Sequence, residues 1–253
     1  MFFYEVDNEI QLKLITQNDA DEIFAFIDRS RSYLREWLGW VDHTKTVEDT
    51  RAFAEANLEK FAKRQGLDTA IIYNGQFVGK ISINTINWTL KKCEIGYFLD
   101  ESFQGEGIMT RAAKGMIDIA FNEYKLEKVE IHAAVDNKKS RHIAERLGFT
   151  QEGTIRNAEW LYDHYVDHAV YGLLDRDKLA ARGLSSIDVV GVIKKEIKMI
   201  PSGRIKHEGA EYTIKFDADY KSLKDLETLE IANRQGQRCT IKDVGYVIMG
   251  TER

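Results

Sequence analysis

Residues 10–15 (IQLKLI) alternate apolar and polar, the period of a half-buried strand. Thr16 and Asp19 are helix-capping types, and after them Ala20, Ile23, Phe24 and Ile27 fall on one helical face. A second helical piece is predicted over about 31–38, ending in WLGW. A third covers about 47–63, with Phe53, Ala56 and Phe61 apolar among charges. The period then shortens to two. TAIIY and QFVGKISIN flank Asn74-Gly75, the strongest short hairpin signal.

Residues 92–99 (KCEIGYFL) read as another strand, followed by the loop DESFQGEG. Over 108–123, Met109, Ala112, Ala113, Met116, Ile117 and Ala120 make an apolar helical stripe. VEIHAAV (129–135) is a strand, and 138–147 a short helix stopped by Gly148. Strand-like runs at about 149–156 and 165–173 close this part. Neighbouring strands followed by a strand–helix–strand–helix unit describe a mixed α/β sheet, antiparallel at first and with a parallel crossover. After a helical patch around 175–182, LSS at 184–186 reads as a joint. Beyond it lie β-rich runs (187–200, 211–217, 238–249), turns at Pro201-Ser202-Gly203, Glu208-Gly209 and Gln235-Gly236, and a helix around 221–231. The expected division is a domain over 1–183 and a small β-rich appendage over 184–253.

Composition changes this picture little. With 43 % hydrophobic and 30 % charged residues, the 253-residue chain has the balance of a soluble globular protein. Residues 1–183 carry a net charge of −6 and 184–253 of +1. Neither fits general nucleic-acid binding, which wants a basic stripe. The acidic first part suits a cationic acceptor such as an amine. Cys93 and Cys239 form no disulfide framework and no metal-ligand spacing. No signal peptide or membrane span is read, so a reducing cytoplasm is expected.

The informative segment is FQGEGIMTRAAKG, residues 103–115, between a predicted strand and a predicted helix. Gly105 and Gly107 allow a tight turn and close approach to a ligand. The first helical turn presents N–H groups without partners in the helix, at the positive end of its dipole. Arg111 would oppose that dipole, so an anion nearby would account for it. The alternative is a glycine-rich turn that binds nothing. Neither a Rossmann nor a P-loop signature is present.

Gln104-Gly105-Glu106-Gly107-Ile108-Met109 resembles the (Gln/Arg)-x-x-Gly-x-(Gly/Ala) motif of the GNAT acetyltransferase superfamily, with Met109 in the last place. CEIGYFLD (93–100) is similar to that family's preceding strand, and NKKSRHIAERLGF (137–149) to its Asn-x-x-Ser…Leu-Gly-Phe helix. More narrowly, LREWLGWVD (34–42) and AEWLYDHYVDHAVYGLL (158–174) resemble segments of the RimJ/RimL family of ribosomal-protein N-terminal acetyltransferases. Gly39 stands where that pattern has proline. The resemblance covers about residues 8–180; the last 65 or so resemble no family. It implies a GNAT-type mixed sheet, flanked by helices and splayed at its centre between 93–99 and 129–135. It also implies that Gln104 to Arg111 (Gln104, Gly105, Glu106, Gly107, Ile108, Met109, Thr110, Arg111) hold the pyrophosphate of acetyl-CoA, with Asn137 and Ser140 on the pantetheine arm.

Moving an acetyl group from a thioester to an amine needs a base for the amine and an acid for the thiolate. The resemblance offers Glu159, at the tip of the last hairpin, as base; other superfamily members place it on the strand, here Glu94. Either is otherwise a surface glutamate in an ion pair. Ser140 is the candidate acid, compatible with a helix-capping role, because the usual tyrosine position is Ala144. Asn137 is otherwise a plain N-cap. Trp37 and Trp40 either line the acceptor cleft or pack in the core. His164 and His168 read as hairpin surface residues and His132 as structural. An α-amine (pKa about 7.7–8.0) is roughly 15 % neutral at pH 7, a lysine (about 10.4) roughly 0.04 %. A modest base therefore favours a protein N-terminus. A polyamine or aminoglycoside is the second enzyme reading, and a non-catalytic acyl-CoA sensor the third. Homodimerisation, covering of the cleft and partner binding stay open for the appendage.

Overall fold

The computed structural model describes residues 3–175, 204–207, 210–213, 230–234 and 237–240. The chain divides after Leu173 into two compact units. The expected joint at 184–186, the helical patch beyond 175 and the runs over 187–200 lie outside the described residues.

The first unit is an eight-stranded sheet between helices. Its strands are β1 (Phe3–Glu5), β2 (Ile10–Leu14), β3 (Leu67–Tyr73), β4 (Gln76–Asn87), β5 (Lys92–Leu99), β6 (Lys128–Ala134), β7 (Thr150–Leu161) and β8 (His164–Leu174), in spatial order β1-β2-β3-β4-β5-β6-β8-β7. Helices α1 (Ala20–Arg29), α2 (Arg31–Leu34) and α3 (Val47–Ala62) precede β3. Helix α4 (Ile108–Asp118) follows β5 and α5 (Lys138–Arg146) follows β6. Strands β2 to β5 pair antiparallel, with Asn74 and Gly75 at positive φ in the β3–β4 turn, as a tight hairpin requires.

Side chains on the two faces of β3 enter different cores. Leu67 and Ile71 join Ile108, Ala112, Ala113 and Met116 of α4 on one face. Ala70 joins Ile23, Phe26, Ile27 and Ala54 on the other. Alternation with period two thus places α4 and α5 on one side of the sheet and α1 and α3 on the other.

The structure corrects several expectations. β1 was not predicted. α2 has one turn, not two. In α1, Phe26 enters the core while Phe24 is half-buried under Arg31, whose guanidinium lies 5.9 Å from the ring centroid. In α3 the inward face is Thr50, Ala54 and Asn57, because α1 meets that stripe; Phe53 is left exposed. β7 runs on to Leu161, so the hairpin turns at Tyr162-Asp163, and Glu159 lies within the strand opposite Val166.

In the second unit β9 (Arg204–His207) pairs antiparallel with β10 (Ala210–Thr213), and β11 (Glu230–Arg234) with β12 (Gln237–Thr240). Glu230 and Ile231 are therefore extended, not the end of a helix.

Candidate functional site

Strands β5 and β6 run parallel in register only from Lys92 to Glu94 against Lys128 to Glu130. Beyond those residues they part. The opening continues into a cleft of about 1710 Å³, lined on its two walls by Ile95, Gly96 and Tyr97 of β5 and Ile131, His132 and Ala133 of β6.

At one end the wall is backbone. Asp100 caps the short turn after β5 through Ser102 N (3.0 Å). Gly105 and Gly107 then take φ of +86° and +75°, and a β-carbon at either would meet nothing within 4 Å. Gly107 is the N-cap of α4, and the first helical bond shown runs from Arg111 N to its carbonyl (3.1 Å). The amides of the first turn are left without helical partners beside open space. Gly105, Ile108, Met109 and Thr110 line the cleft. Glu106 and Arg111 do not. Arg111 turns instead to Asp7 (3.0 Å) and Glu9 (2.8 Å) on the β1–β2 turn, which account for its cation without any ligand.

Helix α5 supplies the cations at this end. Lys139 Nζ donates to Gln104 Oε1 at 2.8 Å, and Gln104 bonds Tyr33 on its other side. Arg146 donates to Thr110 Oγ1 at 3.2 Å. Lys139, His142, Ile143 and Arg146 all line the cleft. Their spacing of three and four, readable in KKSRHIAER, could have revealed this basic face before the structure did. Asn137 Oδ1 accepts from Ser140 N at 3.0 Å and so caps α5. Ser140 Oγ donates to Tyr97 Oη, and Tyr97 Oη to the Ser140 carbonyl, each at 3.2 Å. Burial pushes the Tyr97 phenol up to about 12, so it stays protonated. Ala144 is fully buried in the core.

At the other end side chains make the wall. Trp37 and Trp40 both line the cleft, Trp40 with its ring 5.8 Å from Phe98. Glu159 Oε2 lies 3.2 Å from His168 Nε2. Glu94 accepts from Asn84 Nδ2 at 3.4 Å, and its Oε2 is 3.7 Å from His132 Nδ1. Both histidines line the cleft, whereas His164 is exposed beside Asp163. The missed signal for His168 is alternation, since Val166 and His168 share one face of β8 and line the cleft together. Glu36 and Asp49 also line the cleft, as does Lys80, which is buried against Asp68, and that burial lowers its pKa. The balance at this end is negative, which attracts a cation.

Residues 9–150 match the family model described as an acetyltransferase (GNAT) domain. The putative ribosomal N-acetyltransferase YdaF of Bacillus subtilis (strain 168) is 32 % identical over 178 residues, 70 % of this chain and 97 % of that protein. The ribosomal-protein-serine acetyltransferase of Escherichia coli (strain K12) is 31 % identical, over 66 % of this chain and 93 % of its own. Among solved structures, RimL, a ribosomal L7/L12 alpha-N-protein acetyltransferase in complex with coenzyme A, superimposes with a TM-score of 0.67. It is 26 % identical and covers 68 % of this chain and 98 % of that one. Residues 167–253, where no family resemblance was expected past about 180, match the AcrB/AcrD/AcrF family model. A stretch of 76 residues, 30 % of this chain, is 30 % identical to the cobalt-zinc-cadmium resistance protein CzcA of Cupriavidus metallidurans, over 7 % of its length.

Proposed function

The chain belongs to the GNAT acetyltransferases, and from that premise we propose that it is a cytoplasmic enzyme acetylating protein N-terminal α-amines with acetyl-CoA. The observation that carries this reading is the two-ended cleft. An open glycine turn at a helix N-terminus lies at one end, and Glu159 and Glu94 face the other. The relatives named as ribosomal-protein acetyltransferases support the acceptor class.

Gly105 to Thr110 would take the pyrophosphate on backbone amides, with Lys139 and Arg146 adding charge. The empty space where side chains would stand at Gly105 and Gly107 fits a group of that size. Acetyl-CoA is a substrate, spent in each turnover. Glu159 takes the proton of the arriving ammonium. The freed amine nitrogen bonds the acetyl carbon, the carbon–sulfur bond breaks, Ser140 Oγ gives the leaving sulfur a proton, and the second proton shed by the new amide nitrogen returns to Ser140 Oγ. Tyr97 Oη, which accepts from Ser140 Oγ and stays protonated, holds that hydroxyl in place. Glu94 has a different setting, between an amide and an imidazole on the splayed strands, and ranks second as base.

The test is thiol release from acetyl-CoA with N-terminal peptides, lysine peptides and polyamines as acceptors. N-terminal peptides should give the highest kcat/KM. Preference for a polyamine would assign a small-amine enzyme. Binding of acetyl-CoA with transfer to no amine would leave a sensor module. In Glu159→Gln, kcat should fall on the order of 10²-fold. The loss should be greatest below about pH 7.7–8.0, where the α-amine arrives protonated.

A further inference from the structure

Glu159 is bounded on two sides by residues from separate segments. Its Oε2 lies 3.2 Å from Nε2 of His168, which is 19 % exposed. On the other side, a β-carbon built on Gly39 would stand 3.2 Å from Oε1, tighter than nine in ten real contacts. The hairpin geometry produces this meeting. β7 and β8 shift register between Ile155 and Glu159, with Asn157 at φ +50° inside the shift and its N–H on Asp167 Oδ1 at 2.8 Å. Such a bulge re-aims the residues that follow it. Here it leaves Glu159 and His168, from adjacent strands, lining the same cleft. Glu94 lacks this hold: its nearest imidazole nitrogen is 3.7 Å away, beyond hydrogen-bond range.

We propose that His168 is the positioning residue of the base. Its Nε2, 3.2 Å from Glu159 Oε2, pairs with the carboxylate and fixes it, while the missing side chain at Gly39 leaves Oε1 room as the oxygen that accepts the amine proton. His168 keeps its own proton throughout. The inference rests on the reading of Glu159 as base.

The test is steady-state acetyl transfer to an N-terminal peptide by the full chain. His168→Leu should lower kcat about tenfold, the worth of one hydrogen bond to a charged group, with KM for acetyl-CoA unchanged. His168→Gln, whose amide N–H reaches a similar place, should recover most of the loss and serves as the folding control. Gly39→Ala should lower kcat several-fold by crowding Oε1. In a Glu159→Gln background, His168→Leu should have no further effect, because the two act as one unit. Suppose Glu159→Gln lowers kcat but His168→Leu is silent, or still costs tenfold in that background. His168 then does not work through the carboxylate, and the inference fails alone. A silent Glu159→Gln would remove the base assignment and the inference together.

Discussion

The donor end and the acceptor end of the cleft are built by different means. The donor end is local: one stretch, Gln104 to Arg111, holds the turn, the left-handed glycines and the helix N-terminus. From elsewhere come α5 and, behind Gln104, Tyr33 of α2. The acceptor end is assembled from the WLGW loop, the first turn of α3, the splayed strands and the last hairpin, each supplying one or two side chains. On the proposed reading, backbone amides would bind a group common to every turnover, and side chains from scattered segments would shape what differs between acceptors, since an acceptor pocket can diverge while the donor site persists.

The contrast can be broken most directly at Gly107. Gly107→Val forces a β-branched residue to φ +75° and places its side chain in the open space of the turn. Acetyl-CoA affinity, measured by titration calorimetry, should drop on the order of 10²-fold from strain of this kind and the filled space. Retained affinity would mean that the turn is not where the donor is held. Removing a side chain at the same end should matter less. Arg146→Ala should weaken acetyl-CoA binding about threefold to tenfold at low salt and less at high salt, because exposed charges are screened. A loss exceeding that of Gly107→Val would overturn the view of the donor end as a backbone site. The smallest effect concerns the wall of the acceptor end, where Thr46 and Asp49 form a capping box at the start of α3. Thr46→Ala should cost about 1 kcal/mol of unfolding stability and leave acetyl-CoA affinity untouched. The N–H groups of Lys45 and Thr46, and with them the Thr46 hydroxyl that the substitution removes, hold the Asp49 carboxyl below its ordinary value. That contribution is present above the unfolded pKa of about 3.9 and is lost as pH falls through the lower folded value. Thermal melts on acidification should therefore narrow the gap between Thr46→Ala and the parent.

Much of the first unit was legible because its signals are local. The Asn-Gly hairpin, the α4 stripe and the glycine turn each depend on neighbours a few residues apart. The errors share an origin in contacts between distant segments. Phe26 displaced Phe24 from the core because Phe77 and Phe98, some 50 and 70 residues on, lie 5.4 and 5.7 Å from its ring. Arg111 looked like an anion ligand until Asp7 and Glu9 appeared beside it. Glu159 was expected at a hairpin tip, and His168 on a surface, because a shift of register inside β7 leaves no mark in the pattern of apolar residues.

By itself the chain's sequence determined the kind of elements, their order and the donor turn, since backbone conformation and amphipathic period are properties of short stretches. The tertiary structure alone decided which carboxylate gained a histidine, which arginine was already neutralised and where the sheet opens. Those are matters of distance between residues far apart in the chain, and such distances exist only once the sheet has formed and its strands have taken their register.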